Sequence, residues 1–447
     1  MASAAEQLAA SINFGAIAKA TELKKRLWFT FGALIIYRLG TYIPLPGIDP
    51  VILEDVFRQQ AAGIIGMFNM FSGGALGRMT IFALNIMPYI SASIIIQLMT
   101  TVSPHLAQLK KEGDSGRRKI TQYTRYGTVI LATFQGLGIA VGLEGMTGSQ
   151  GSAVMDPGLT FRFITVITLV GGTIFLMWLG EQITARGVGN GISLIIMAGI
   201  VAELPAAMAT TLELGRTGAL SAFFIILLVL MSIGVIAFIV FVERAQRRLI
   251  VQYPKRQQGN KMLGGENSHL PLKLNTAGVI PPIFASSLLL LPITAMSFSA
   301  ASGPGLLTDF AALLSRGSPA YLLLYISLIV FFAFFYTSVV FNPEDTAENL
   351  KKNNGFIPGI RPGKNTAEYI DYVLRRLTTV GAIYLSAVCV LPEILISQYA
   401  VPFYFGGTSL LIVVNVNMDF VGQVHSHLLA HQYEGLIKKS RLRGRRG

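Results

Sequence analysis

Long apolar runs alternate with polar segments along the 447 residues of this chain. A helix needs about 20 mostly apolar residues to cross the hydrocarbon core of a bilayer. Ten runs approach that length, and we predict that each forms a membrane-spanning helix. In chain order, the predicted spans are 27–43, 79–100, 126–143, 163–179, 192–208, 222–242, 274–296, 322–341, 380–396 and 404–424.

Composition supports the same class of protein. Hydrophobic residues make up 52% of the chain and charged residues only 13%, whereas soluble domains carry about 25% charged residues. So few charges do not cover the surface of a soluble domain, and we predict an all-α polytopic membrane protein. The single cysteine, Cys389, excludes an internal disulfide and a thiolate metal cluster.

Basic residues are distributed unevenly between the two sides of this predicted topology. The side with both termini and every second loop holds 30 of the 36 Lys and Arg residues. Because Lys and Arg concentrate in cytosolic loops, we predict that both termini are cytosolic. The cytosolic side then includes an interfacial segment at 1–22, long loops at 243–273 and 342–379, and a basic tail at 431–447.

Catalytic and cofactor motifs are missing from the sequence. HExxH, CxxC and Walker A patterns do not occur, and His425, His427 and His431 have no carboxylate or thiolate beside them, as a metal site needs. The span centres are almost free of the ionisable groups that ion-coupled carriers use. We therefore predict no enzymatic activity, no metal and no cofactor. A small-solute secondary transporter, which hydropathy alone favours, stays the main alternative, and an intramembrane enzyme is the third.

Several long motifs resemble the SecY family, the channel subunit of the bacterial Sec protein translocon. The resemblance runs in order from about Leu23 to Gly444 and implies a protein-conducting channel in the bacterial inner membrane. It also implies ten transmembrane helices in two inverted, pseudo-symmetric halves, 23–212 and 213–430, around a central pore. The motifs that carry it are Met67–Arg78, Ile81–Leu98, Glu112–Tyr126, Trp178–Ser193, Thr276–Ser287, Phe356–Gly363 and Pro402–Leu411.

The resemblance further implies a ring of six apolar side chains that narrows the pore. Hydropathy alone does not distinguish such residues from isoleucines that face lipid or are buried between packed helices. A narrow apolar collar resists wetting, and it accepts a passing chain without selecting its sequence. Matched motif by motif, the ring residues are Ile86, Ile90, Ile192, Ile196, Ile283 and Ile412.

A half-apolar stretch at 63–71, too short to cross a membrane, precedes a glycine-rich segment. The resemblance implies that 63–77 is a plug with a flexible hinge, and a buried re-entrant loop without motion is the alternative. The plug residues are Ile64, Ile65, Met67, Phe68, Asn69, Met70, Phe71, Gly73 and Gly74.

The resemblance also places helices 2 and 3 against helices 7 and 8 as a lateral gate. Pro88 and the pair Pro281–Pro282 are predicted to kink two of these helices. Ser91, Gln135 and Asn275 are expected along the gate, although each also fits an ordinary interhelical hydrogen bond.

Two of the predicted cytosolic loops carry clusters of basic residues. Topology and attraction to anionic lipids account for most of this charge. The resemblance implies that these loops dock the SecA motor and the ribosome, whose RNA and proteins would contact them. It also implies that the chain pairs with SecE and SecG. The substrates it implies are signal sequences and nascent polypeptides. The docking residues are Arg247, Arg248, Lys255, Arg256, Lys351, Lys352, Arg361 and Lys364.

Overall fold

Helices follow the predicted spans in chain order in the computed structural model. The structure describes residues 20–49, 52–53, 72–145, 147–148, 151–218, 221–253, 256–258, 261–263, 267–299, 318–399 and 407–443. The helices are α1 (Thr21–Gly40), α2 (Met87–Val102), α3 (Pro104–Lys111), α4 (Asp114–Glu144), α5 (Leu159–Arg186), α6 (Gly191–Arg216), α7 (Ala222–Arg244), α8 (Ile280–Ser299), α9 (Pro319–Val340), α10 (Pro343–Lys352), α11 (Lys364–Tyr399) and α12 (Gly407–Arg443). The strands are β1 (Thr147–Gly148), β2 (Gly151–Ser152), β3 (Gln246–Gln252), β4 (Arg256–Gln258), β5 (Lys261–Leu263) and β6 (Asn267–Lys273).

Within the described residues, six helices are long and apolar enough to cross a membrane, or seven if the bent pair α2 and α3 counts as one span. These are α4, α5, α6, α7, α9 and α11. The helix α1 carries four basic residues, Lys24, Lys25, Arg26 and Arg38, which lower its apolar character. Polar residues have the same effect in α12, where Asn415, Asn417 and Asp419 interrupt the apolar run.

The second predicted span differs from the structure in its first third. Residues 81–86 form turns, and the helix α2 begins only at Met87. Two residues before the helix have positive φ, Met79 at 43° and Asn85 at 50°, which a continuous helix does not allow. Pro88 then lies in the first turn of α2, where its fixed φ suits a helix start. The predicted kink at Pro88 is therefore wrong.

The long helices pack into two groups. In the first, α4 contacts α2 and α5, and α5 contacts α1 and α6; in the second, α9 contacts α8 and α11, and α12 contacts α7 and α11. The predicted boundary at 212/213 falls in the last turn of α6. The groups meet along two seams. At the front seam α8 contacts α2 and α4, and at the back seam α6 contacts α7 and α12 while α1 contacts α12.

A hydrogen bond crosses the back seam from the turn between α5 and α6. The amide of Gly189 donates to Oε1 of Gln423 on α12 at 2.8 Å, and the amide of Val188 donates to Oγ1 of Thr30 on α1 at 3.1 Å. Val188 is also buried in a small apolar cluster with Leu23 and Leu428. The turn therefore joins α1, of the first group, to α12, of the second.

The front seam has weaker polar contacts. The buried hydroxyl of Ser287 on α8 donates to the sulfur of Met87 on α2 at 3.8 Å, and thioether sulfur is a weak acceptor. Toward the ends of the helices, Nζ of Lys110 donates to the carbonyl of Val339 at 3.4 Å in an exposed position. The front seam thus depends mainly on apolar packing.

A close approach of two backbones positions α6 against α5. A Cβ on Gly191 would overlap the carbonyl oxygen of Gly180, and a Cβ on Gly180 would lie 3.1 Å from Cγ1 of Ile192. The absence of side chains at both glycines lets the two helices meet directly beside Ile192, a predicted ring residue.

We expect Gly191→Ala to lower the free energy of unfolding by about 1–3 kcal/mol, because the new methyl group overpacks the contact with Gly180. Thermal unfolding of the purified protein in detergent measures the effect. Gly142→Ala in α4 is the matched control, since a Cβ there meets nothing within 4 Å and Ala favours a helix more than Gly does. Equal melting temperatures of the two variants would contradict the close approach.

Candidate functional site

The largest hydrophobic cluster of the described residues, here called the central cluster, lies between the two helix groups. Its buried members come from α1, α2, α5 and α6 of the first group and from α7, α8, α9, α11 and α12 of the second. All six predicted ring isoleucines belong to it. Ile86, Ile90, Ile196 and Ile412 are buried, and Ile192 and Ile283 are partly buried against it.

Ile86 and Ile90 lie at the beginning of α2. Ile86 is the N-cap residue of the helix, and its carbonyl accepts a hydrogen bond from the amide of Ile90 at 3.1 Å. The pair therefore lies one helical turn apart, as their spacing predicts. Ile86 itself precedes the helix, and its side chain is 1% exposed.

Ile192 and Ile196 lie at the beginning of α6, which Asn190 caps. The side-chain oxygen of Asn190 accepts hydrogen bonds from the amides of Ile192 at 3.1 Å and Ser193 at 3.4 Å. The amide of Gly191 donates to Oγ1 of Thr184 at 2.9 Å. Capping of this kind satisfies amides that have no partner within the helix, so the first turn of α6 is anchored where it presents Ile192.

Ile283 and Ile412 come from the second group of helices. Pro281 and Pro282 precede Ile283 in the first turn of α8, so these prolines begin a helix and the predicted kink in helix 7 is wrong. Ile412 on α12 is 1% exposed. A Cβ on Gly407 would overlap the carbonyl oxygen of Val388, so the glycine lets the start of α12 lie directly on α11.

The three residues predicted along the lateral gate are all buried. Ser91 is 5% exposed, Gln135 2% and Asn275 4%. Ser91 lies on α2 and Gln135 on α4, the two helices that α8 contacts at the front seam. Their assignment to a gate stays a prediction, and the sequence pattern did not single out the contact of Ser287 with Met87 at this seam.

The side chain of Asn275 is bound within the second group of helices. Its amide nitrogen donates to Oε1 of Glu243 at 2.7 Å and to the carbonyl of Gly278 at 3.0 Å. Glu243 is the penultimate residue of α7 and is 9% exposed. This pair was not predicted, because neither residue has a sequence neighbour that indicates the other.

Most of the predicted plug lies outside the described residues, including Ile64, Ile65, Met67, Phe68, Asn69, Met70 and Phe71. Gly73 and Gly74 are described and have φ of +65° and +79°, a region that glycine adopts without steric strain. Both residues lie in the turns that precede α2.

The two basic loops form one structural unit, which the sequence did not predict. Strands β3 and β6 pair as an antiparallel hairpin, with β4 and β5 paired between them. Gln252 at the end of β3 exchanges two backbone hydrogen bonds with Phe356 of the other loop, at 2.9 and 3.0 Å. Leu249, Leu272, Ile357 and Ile370 form a buried cluster beneath this contact.

Six of the predicted docking residues are exposed on this unit: Arg247, Arg248, Lys351, Lys352, Arg361 and Lys364. Lys255 lies outside the described residues, and only the backbone of Arg256 is described. Pairing of the loops therefore brings together basic residues that are far apart in the sequence.

Comparisons with known proteins show the family of this chain. Residues 80–421 match the sequence profile of the SecY family. The chain is 58% identical over 424 residues to the protein translocase subunit SecY of Escherichia coli strain K12, covering 95% of this chain and 96% of that protein. It is 55% identical over 428 residues to the protein translocase subunit SecY of Vibrio cholerae, with coverage of 95% and 96%.

Solved structures show the same fold at low sequence identity. A protein-conducting channel superposes with a TM-score of 0.65 at 17% identity, covering 91% of this chain and 92% of that one. A canine Sec61 from a ribosome–channel complex of the endoplasmic reticulum superposes with a TM-score of 0.63, at the same identity and coverage. These similarities confirm the predicted fold class.

We expect Asn275→Leu to destabilise the protein by about 1.5–3 kcal/mol, because the buried carboxylate of Glu243 loses a hydrogen bond. The double variant Glu243→Leu/Asn275→Leu should regain much of that loss, since it removes both polar partners. Thermal unfolding of the two single variants and the double variant gives the coupling energy. Strictly additive effects would show that the two side chains do not interact.

Proposed function

The chain belongs to the SecY family of protein translocase subunits, and we propose that it passes unfolded polypeptides along the axis between its two helix groups. It is a multi-pass membrane protein and a protein-conducting channel, not an enzyme. The observation that supports the proposed path is the central cluster, to which residues of both helix groups and all six isoleucines belong.

The isoleucines act as a collar that seals the resting channel. A narrow apolar constriction gates by dewetting, and an ion that enters it loses hydration that no side chain replaces. A polypeptide fills the constriction with its own atoms and leaves no continuous column of water. Aliphatic side chains make no sequence-specific hydrogen bonds, so the collar accepts many different secretory chains.

When the channel opens, the two helix groups separate at the front seam, and the back seam acts as the hinge. The front seam depends on apolar packing and on the weak Ser287–Met87 hydrogen bond, whereas the back seam has the shorter Gly189–Gln423 hydrogen bond at 2.8 Å. Signal sequences and membrane segments leave laterally between α2, α4 and α8, where Ser91 and Gln135 line the gate. Asn275, the third predicted gate residue, is hydrogen-bonded to Glu243 within the second group. Residues 63–77 form the plug that closes the pore on the side opposite the basic loops.

The chain resides in the bacterial inner membrane with both termini in the cytosol. Positive charge on the paired loops supports this orientation. The same charge attracts the headgroups of anionic lipids. Residues 1–19 of the predicted interfacial segment lie outside the described residues, and within the predicted basic tail the helix α12 continues to Arg443.

The paired loops dock the partners that drive transport. The SecA motor and the ribosome bind the exposed basic residues of the two loops, and SecE and SecG complete the channel. The canine Sec61 whose structure comes from a ribosome–channel complex supports the ribosomal contact. Since this chain has no nucleotide-binding motif, the energy comes from these partners or from the proton-motive force.

Reconstitution into liposomes tests the proposed function directly. With SecE, SecG and SecA present, a presecretory protein should become protected from external protease in the presence of ATP. Solute uptake without the motor, and without any protection, would instead indicate a small-solute transporter.

We expect Ile86→Asn and Ile192→Asn to raise the ion conductance of the resting channel about tenfold each, a change that corresponds to a barrier lowered by ~1.4 kcal/mol. Each substitution places a polar amide in the collar and allows water to enter. Planar-bilayer recording of the purified complex measures the conductance. Ile130→Asn is the matched control, because Ile130 on α4 is 69% exposed and lies outside the central cluster. Unchanged conductance of both collar variants would refute the seal.

We expect Arg361→Glu to reduce motor-driven export about tenfold, a loss equivalent to ~1.4 kcal/mol of binding free energy. The side chain is exposed, so the melting temperature should stay unchanged. Arg216→Glu provides a control charge reversal at the end of α6, where the arginine is 79% exposed. Normal export by the Arg361→Glu variant would argue against docking at this position.

A further inference from the structure

The short segment 72–78, which leads into α2, is wedged between α1 and α6. A Cβ on Gly73 would lie 3.0 Å from Cα and 3.2 Å from the carbonyl oxygen of Gly199 on α6. The side chain of Ser72 is 3% exposed, and its carbonyl accepts a hydrogen bond from the hydroxyl of Tyr37 on α1 at 3.5 Å. The segment is therefore in direct contact with both helices.

Two arginines converge on one backbone carbonyl of this segment. Nη1 of Arg38, near the end of α1, donates to the carbonyl of Gly73 at 2.8 Å. Nη2 of Arg78 donates to the same carbonyl at 2.9 Å, and Nε of Arg78 donates to the carbonyl of Gly74 at 3.1 Å. Hydrogen bonds from charged donors are stronger than neutral ones, so the turn at Gly73 and Gly74 is held at three points.

An acidic and an aromatic side chain offset the charge of the two arginines. Oε1 of Glu203 on α6 lies 3.8 Å from Nη2 of Arg78. The ring of Tyr42 lies 4.3 Å from Cζ of Arg78 and 5.1 Å from Cζ of Arg38, within the range of cation–π attraction. Two like charges thus stay close together around one carbonyl.

The same face of α6 connects this arrangement with the collar. Ile196, Gly199 and Glu203 follow each other at helical spacings of three and four residues, so they share one face. Gly199 contacts the segment, Glu203 pairs with Arg78, and Ile196 is a buried member of the central cluster. Movement of the segment away from α6 therefore changes the surroundings of the collar.

We propose that Arg38, Arg78 and Glu203 form a guanidinium clamp that holds the 72–78 segment against α1 and α6 and keeps the resting channel closed. The three are positioning residues for channel opening, and the inference rests on the proposed function. The clamp is releasable, because the side chains of Arg78 and Glu203 are 37% and 23% exposed and water can replace their contacts. When the segment moves, the carbonyls of Gly73 and Gly74 exchange guanidinium donors for water.

Resting conductance of the reconstituted complex is the first test. Arg38→Gln and Arg78→Gln should each raise the ion conductance about tenfold. The double variant should raise it by less than the product of the two effects, because both arginines act on the same carbonyl. Arg78→Lys should give an intermediate value, since it keeps the charge but not the fork of donors. Arg162→Gln is the matched control: Arg162 binds Glu144 at 2.9 Å through Nε, away from the segment, and its loss should leave the conductance unchanged.

Chemical labelling gives a second readout that does not depend on conductance. In a Cys389→Ala background, Ser72→Cys introduces a buried thiol of similar size in the segment itself. A membrane-impermeant maleimide should label it slowly in the parent and about tenfold faster when Arg78→Gln or the milder Glu203→Gln is added. Unchanged labelling together with unchanged conductance would overturn the clamp. Export of a presecretory protein by the parent complex tests the proposed function separately.

Discussion

The hydrocarbon interior of a membrane contains no water to bind a peptide group or to solvate an ion, and the architecture of this channel follows from that constraint. Peptide groups that cross the bilayer are satisfied within helices, which accounts for the long helices at every predicted span. The same lack of water turns an apolar constriction into a barrier for ions. Ile86 and Ile412, from opposite helix groups, are each 1% exposed, so apolar side chains of both groups are buried at the centre of the bundle.

The two seams between the helix groups differ in the bonds that hold them, and the proposed direction of opening rests on this difference. At the back seam, the turn after α5 is hydrogen-bonded to Thr30 and Gln423 and packed in its own apolar cluster. At the front seam, apolar side chains of α8 lie against α2 and α4. Apolar packing has no directional hydrogen bonds to break, so this seam depends on the fit of its side chains.

Some of the predictions agree closely with the structure, and others fail for identifiable physical reasons. Pro88 and Pro281–Pro282 were expected inside helices, but each lies in a first turn, where a proline lacks no hydrogen bond that the helix needs. The hairpin of β3 and β6 was missed because most of it lies in a charged segment whose partner strands are separated by a long connection. The backbone hydrogen bonds between Gln252 and Phe356 join this hairpin to a second loop. Pairing between two loops leaves no hydrophobic periodicity in the sequence of either loop.

The sequence by itself determined the class of protein, the family and the order of the helices, because hydropathy and motifs are properties of continuous stretches. The role of the six isoleucines as a ring stays a prediction. Only the tertiary structure decided which polar groups meet: Asn275 with Glu243, Arg38 and Arg78 at Gly73, and Gln252 with Phe356. The physical reason is that a membrane helix is apolar on every side, so its composition does not reveal which face packs inward. Ile86 is buried and Ile130 is 69% exposed, a difference in burial that hydropathy does not predict.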